Sequence, residues 1–161
     1  MNRLPGTIVQ VEASGSLALV EVAVGTLRFT ATLLGGRDEA PSWPPGMAVT
    51  LLFKASEVAL AKNLSGQLSM RNRLPARITA IERGSLLTRV MLDCAGHAIE
   101  SVITTRSSQA MALAVGDAVE GLVKANEMSL MPAAASEIAP EVAPGVVPGV
   151  APPSAESAHG A

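Results

Sequence analysis

Four consecutive residues, Ser69-Met70-Arg71-Asn72, bring together a hydroxyl, a guanidinium and a carboxamide. Strand alternation would place Ser69 and Arg71 on one face. A guanidinium offers a fixed fork of N–H donors that suits an oxyanion, and a hydroxyl adds a neutral donor. A second donor set runs from Thr104 through Ser108, five consecutive residues able to donate from side chain or backbone. A third candidate is Lys124, a point charge closing an apolar stretch. Together these residue types can hold a small anion. The same types also cap solvated strand ends, so residue chemistry alone leaves both readings open.

Catalysis fits the sequence less well, and no enzyme activity is expected. The two histidines are His97, in the turn Asp93-Cys94-Ala95-Gly96-His97, and His159 in the C-terminal segment. Asp93, Cys94 and His97 have metal-like spacing but lack a fourth ligand. Cys94 near a strand end reads more naturally as a small buried hydrophobe than as a nucleophile. No glycine-rich phosphate loop precedes a helix, and there is no nucleophile elbow. No cofactor is implied.

The elements that must position the donors come in two copies. Asn2-Arg3-Leu4-Pro5 recurs as Asn72-Arg73-Leu74-Pro75, 70 residues on. At that offset Ile8 matches Ile78, Glu12 matches Glu82 and Gly46 matches Gly116. Ala48-Val49 matches Ala118-Val119, and Lys54-Ala55 matches Lys124-Ala125. The Gly-Ser-Leu turns at 15–17 and 84–86 match with a slip of one residue. Such a colinear series identifies a tandem module.

Within each copy, period-2 alternation bounded by glycine-containing turns predicts five short strands. They fall at about 7–12, 17–24, 27–34, 47–54 and 57–61. The second set falls at 77–82, 86–92, 98–104, 118–124 and 127–131, with one helical turn within 107–114. The fold class is therefore all-β, two small five-stranded barrels in tandem, since closure removes exposed strand edges. The modules span residues 1–64 and 67–131. A barrel of about 60 residues buries little apolar area, so pairing of the copies or oligomerisation is expected. Residues 132–161, almost all Ala, Pro, Val, Gly, Ser and Glu, predict a disordered tail or tether.

Bulk composition narrows the partners. A formal charge of −2 gives no electrostatic reason to expect nucleic acid. With only Trp43, Phe29 and Phe53 as aromatics, the stacking platform of a single-strand binder is missing. No helix-turn-helix or basic helix is apparent. No apolar run approaches the roughly 18 residues of a membrane helix, and residues 1–6 do not read as a signal peptide. One cysteine suits a reducing compartment, so a cytoplasmic protein is expected.

The opening Ser-x-Arg-Asn-x-Leu-Pro at 69–75 resembles the signature of the Mop, or TOBE, domain family. So does the ending Gly-x-x-Val-x-x-x-x-Lys-Ala at 116–125 and 46–55. Two copies in tandem are similar to di-Mop molbindins, and to the paired C-terminal domains of molybdate-responsive transcription regulators. The resemblance covers about residues 2–131 and implies an OB-like barrel binding molybdate or tungstate where modules meet. It implies Ser69, Arg71, Asn72, Thr104, Ser107 and Lys124 as oxyanion ligands, with Asn72 part of the signature in either a binding or a structural role. It also implies a homo-oligomer, a trimer by analogy. The first copy departs from the pattern. Met1 stands at the arginine's position, and Leu34 and Arg37 replace Thr104 and Ser107. Lys54-Ala55-Ser56 is kept, so Lys54 or Ser56 remains available to a shared site. The implied function is reversible oxyanion capture for intracellular molybdenum storage. The alternative is the sensing module of a regulator or transporter.

Overall fold

The computed structural model describes residues 1–136. The first repeat supplies β1 (Asn2–Ser14), β2 (Leu17–Val24), β3 (Leu27–Leu34), the short helix α1 (Gly36–Glu39), β4 (Ala48–Phe53) and β5 (Ala59–Ala61). The second supplies β6 (Asn72–Arg83), β7 (Leu87–Cys94), β8 (His97–Thr104), α2 (Thr105–Ala110), β9 (Ala118–Val123) and β10 (Ser129–Pro132). These form two antiparallel five-stranded sheets, each with four strands from one repeat, and the strands are those the period-2 pattern predicts. Most of the tail, residues 137–161, lies outside the described residues. Pro132 already belongs to β10, and Ala133 N–H donates to the Ala48 carbonyl at 3.1 Å.

Two of the departures from the alternation pattern have a clear local reason. The first strand of each repeat begins at the Asn-Arg-Leu-Pro motif, five residues earlier than predicted. Pro5 and Pro75 fall where β1 and β6 pair on one side only, with β4 and β9. A missing N–H on the open side costs no ladder bond. The register then slips between Ile8 and Gln10, and again between Ile78 and Ala80. Each such bulge bends the strand, so that its second half pairs with β2 or β7 instead. The helical turn spans Thr105–Ala110, earlier than 107–114, because Thr104 caps it.

The sheets exchange their last strands. Strand order is β10-β4-β1-β2-β3 in one and β5-β9-β6-β7-β8 in the other. Each barrel is thus completed by the end of the opposite repeat. Thr32 N–H donates to the Met128 carbonyl at 3.2 Å, drawing β3 toward the incoming β10 segment. In the second barrel the Ser101 hydroxyl donates to the Val58 carbonyl at 2.6 Å. Val58 and Met128 are buried by this exchange in one apolar cluster that spans both barrels. Burying a side chain of that size contributes about 1.5–3 kcal/mol.

Two asparagines lock the halves together. Asn72 is fully buried at the head of β6; its Nδ2 donates to the Thr30 carbonyl at 2.9 Å and its Oδ1 accepts from Thr30 N–H at 2.7 Å. Asn2 repeats this with Glu100, both contacts at 2.8 Å. Each carboxamide acts as one more peptide unit against an exposed strand backbone, satisfying groups that burial would otherwise penalise.

The connection between repeats is tied down by Lys62, whose Nζ lies 2.8 Å from Asp117 Oδ2. That hydrogen bond, followed by one from Ala114 N–H, holds the Asp117 carboxyl below its usual range. A depressed carboxyl pKa stabilises the fold above the unfolded value, about 4, and the contribution is lost as pH falls through the folded value. Melting curves from pH 7 to pH 3 should therefore show the native chain losing its advantage over Asp117→Asn toward acid. A constant gap across that range would rule out this linkage.

Candidate oxyanion site

Three of the expected ligands meet in one open groove of about 530 Å³ on the second barrel. Its polar lining includes Thr104, Ser107 and Lys124, and Val58, Val102, Ile103 and Leu122 contribute apolar surface. Met70, Glu57 and Glu127 also border it. Thr104 sits at the end of β8 because its side chain caps α2. Thr104 Oγ1 accepts from Ser107 N–H at 3.1 Å and lies 2.8 Å from Ser107 Oγ. The cap thereby fixes both hydroxyls side by side. Lys124 stands at the end of β9, with extended backbone leading into the 3₁₀ turn Ala125–Glu127.

Strand exchange adds a residue from the first repeat. Ser56, in the 3₁₀ turn Ala55–Glu57 just before β5, lines the same groove. The sequence marked Ser56 as available but gave no means of saying to which barrel it would travel.

The remaining expected ligands lie elsewhere. Arg71 borders a separate pocket of about 250 Å³ with Gln10, Glu12, Glu21 and Thr30. Ser69 is exposed on the connection leading into β6 and is outside the groove. Asn72, grouped with the anion donors by resemblance, has its carboxamide engaged at both ends by Thr30 and has no exposed surface. Its position is that of a clamp. Lys54 is exposed at the end of β4 and does not reach the groove.

Charge pairing separates the basic residues into two groups. Arg73 makes a two-pronged contact with Glu120, Arg89 bridges Glu82 and Glu100, and Lys62 holds Asp117. Among the described residues, Lys124, Arg71, Lys54, Arg37 and Arg106 have no such side-chain partner. In a chain with more acids than bases, an unpaired cation beside two hydroxyls is a suitable anion donor set.

The Asp93-Cys94-His97 turn does not gather metal ligands. Cys94 is buried in the core, and that burial, then the Asp93 charge, raises its thiol pKa. Asp93 Oδ1 accepts from Gly96 N–H at 2.9 Å, closing the hairpin turn. Among the described residues no cluster of three or more His, Cys, Asp or Glu could hold a metal, and no helix is long and apolar enough to cross a membrane.

Comparison with known proteins identifies the family. The sequence profile of the TOBE domain matches residues 1–60 and 68–130. The chain belongs to the TOBE domain family. Its tandem TOBE fold superposes on the cytoplasmic molybdate-binding protein ModG, solved with molybdate bound, with a TM-score of 0.75. The two are 26% identical, and the match covers 80% of this chain and 94% of that one. The molybdenum-pterin-binding protein MopA of Rhodobacter capsulatus is 32% identical over 132 residues, 80% of this chain and 50% of MopA. The molybdenum import ATP-binding protein ModC of Brucella abortus is 40% identical over 80 residues, 49% of this chain and 22% of ModC. The chain thus spans about a fifth of the one curated relative and half of the other.

Proposed function

We propose that this tandem TOBE chain captures molybdate, or the similar tetrahedral dianion tungstate, reversibly and without covalent chemistry. The observation that carries this reading is the meeting of Thr104, Ser107 and the unpaired Lys124 in one groove. The likeness to a molybdate-binding structure over nearly its whole length supplies the ligand class. A dianion leaves water only where charge and several directed hydrogen bonds replace its hydration. Lys124 provides the charge, against the carboxylates of Glu57 and Glu127 at the border, and Thr104 and Ser107 provide the directed donors.

Arg71 and Ser69 complete the set across a contact between copies of the chain. Within one chain Arg71 lies beside Glu12 and Glu21, whose carboxylates repel an anion on that side. Its outward face is exposed and unpaired, as a donor to a neighbouring copy requires. A homo-oligomer follows, serving molybdenum storage in the cytoplasm. A second reading, a ligand-sensing module attached to a transporter, draws on the 80-residue similarity to ModC.

Isothermal titration of the purified chain with sodium molybdate, with sulfate as control and mass measured in parallel, tests the proposal. Micromolar or tighter binding on an oligomer, with a weak sulfate response, is the expected result. The same affinity on a monomer would favour the sensing module. A folded chain that gives no heat and no melting shift with molybdate would refute oxyanion capture.

A further inference from the structure

We infer that the two repeats have unequal roles: the chain holds a single oxyanion groove, on the second barrel, and the first repeat completes that groove through Ser56 while its own is silent. This rests on the oxyanion reading above. The exchange of β5 and β10 makes the halves pseudo-symmetric, so Ser56, Thr104, Ser107 and Lys124 each have a counterpart 70 positions away. Thr104 corresponds to Leu34, whose side chain is 84% exposed and offers an anion no donor.

The backbone has changed too. In the second repeat β8 runs directly into α2, and the Thr104 side chain accepts from Ser107 N–H. In the first, Gly35 intervenes with φ 108°, and α1 has no side-chain cap. Gly36 follows with φ 53°, packed so that a Cβ there would collide with the Gly15 carbonyl. Thr105 is the counterpart of Gly35 at the same offset, and its hydroxyl donates to the Gly84 carbonyl at 2.8 Å. The first repeat therefore lacks both the hydroxyls and the turn that would aim them. Arg37, at the position of Ser107, is a long solvated cation in place of a fixed short donor. Lys54 retains its charge but is exposed, and a lone exposed ammonium holds a dianion weakly in water.

Ser56 is placed differently. Its counterpart, Asn126, has Nδ2 3.0 Å from Glu127 Oε1, whereas Ser56 lines the donor-bearing groove. The two residues thus form a matched pair, one at each barrel, that separates the competent site from the silent one.

Titration of the full chain with sodium molybdate tests this directly. The native chain should saturate at one molybdate per chain. Ser56→Ala should weaken binding about tenfold, as expected for loss of a hydrogen bond to a charged group, and Ser56→Thr should retain most affinity. Lys54→Ala should bind within about twofold of the native chain, because Lys54 does not line the groove. Circular dichroism melts confirm that each variant is folded. Two molybdates per chain, or loss of a site in Lys54→Ala, would overturn the silent-groove inference and leave oxyanion capture standing. Unchanged affinity in a folded Ser56→Ala would overturn the cross-repeat contribution. No binding by the folded native chain would remove oxyanion capture itself, and this inference with it.

Discussion

Lys124→Ala is expected to weaken molybdate binding by about two orders of magnitude while leaving the fold intact. A hydrogen bond to a charged group contributes about 1.5–3 kcal/mol, and the upper end corresponds to somewhat more than a hundredfold in Kd. The upper end applies because the ammonium supplies the charge of the donor set in this groove, and its partner hydroxyls are neutral. Lys124 is exposed and makes no ion pair, so its removal should cost the fold less than about 0.5 kcal/mol. Lys124→Met keeps the stem and deletes only the charge; it should match the alanine variant if electrostatics dominate. A calorimetric Kd for Lys124→Ala within a factor of two of the native value would remove Lys124 from the ligand set.

Asn72→Ala should act on the fold. The substitution leaves both Thr30 N–H and Thr30 C=O without their partner at a buried contact between barrels. An unsatisfied buried group costs about 1–3 kcal/mol, so two together with the cavity predict a loss of roughly 3–4 kcal/mol. At this size the melting temperature should fall by about 10 °C. Asn72→Asp should be at least as harmful, because a carboxylate oxygen would replace Nδ2 opposite the Thr30 carbonyl oxygen. The test is a denaturant or thermal melt read beside titration at a temperature where the variant is folded. Stability within 1 kcal/mol of native would show that the carboxamide is not a clamp. Asn2→Ala should reproduce the effect at the Glu100 contact.

Asn72 also illustrates how site and scaffold residues are confused in a linear motif. It lies beside Arg71 in the signature, and a carboxamide is as able to hold an oxyanion as to mimic a peptide. Its burial against Thr30, 42 positions away, distinguishes the two uses, and no local pattern encodes that distance. Ser56 is the converse case. It follows the Lys-Ala pair of the first repeat, yet its neighbours in space are Thr104 and Ser107 of the second.

The sequence by itself determined the duplication, the strands and the chemical type of the donors. The offset of 70 is a property of residue identity, and period-2 alternation follows from strand geometry at short range. The run from Thr104 to Ser108 was legible as a donor segment, and the structure added that Thr104 caps α2 and so sets its hydroxyl beside that of Ser107. Only the tertiary structure decided which repeat's fifth strand closes which barrel. Both assignments have the same alternation and bury the same side chains, so the pattern is indifferent between them. The choice rests on contacts such as Thr32 with Met128 and Ser101 with Val58, which exist only once the chain has crossed from one half to the other.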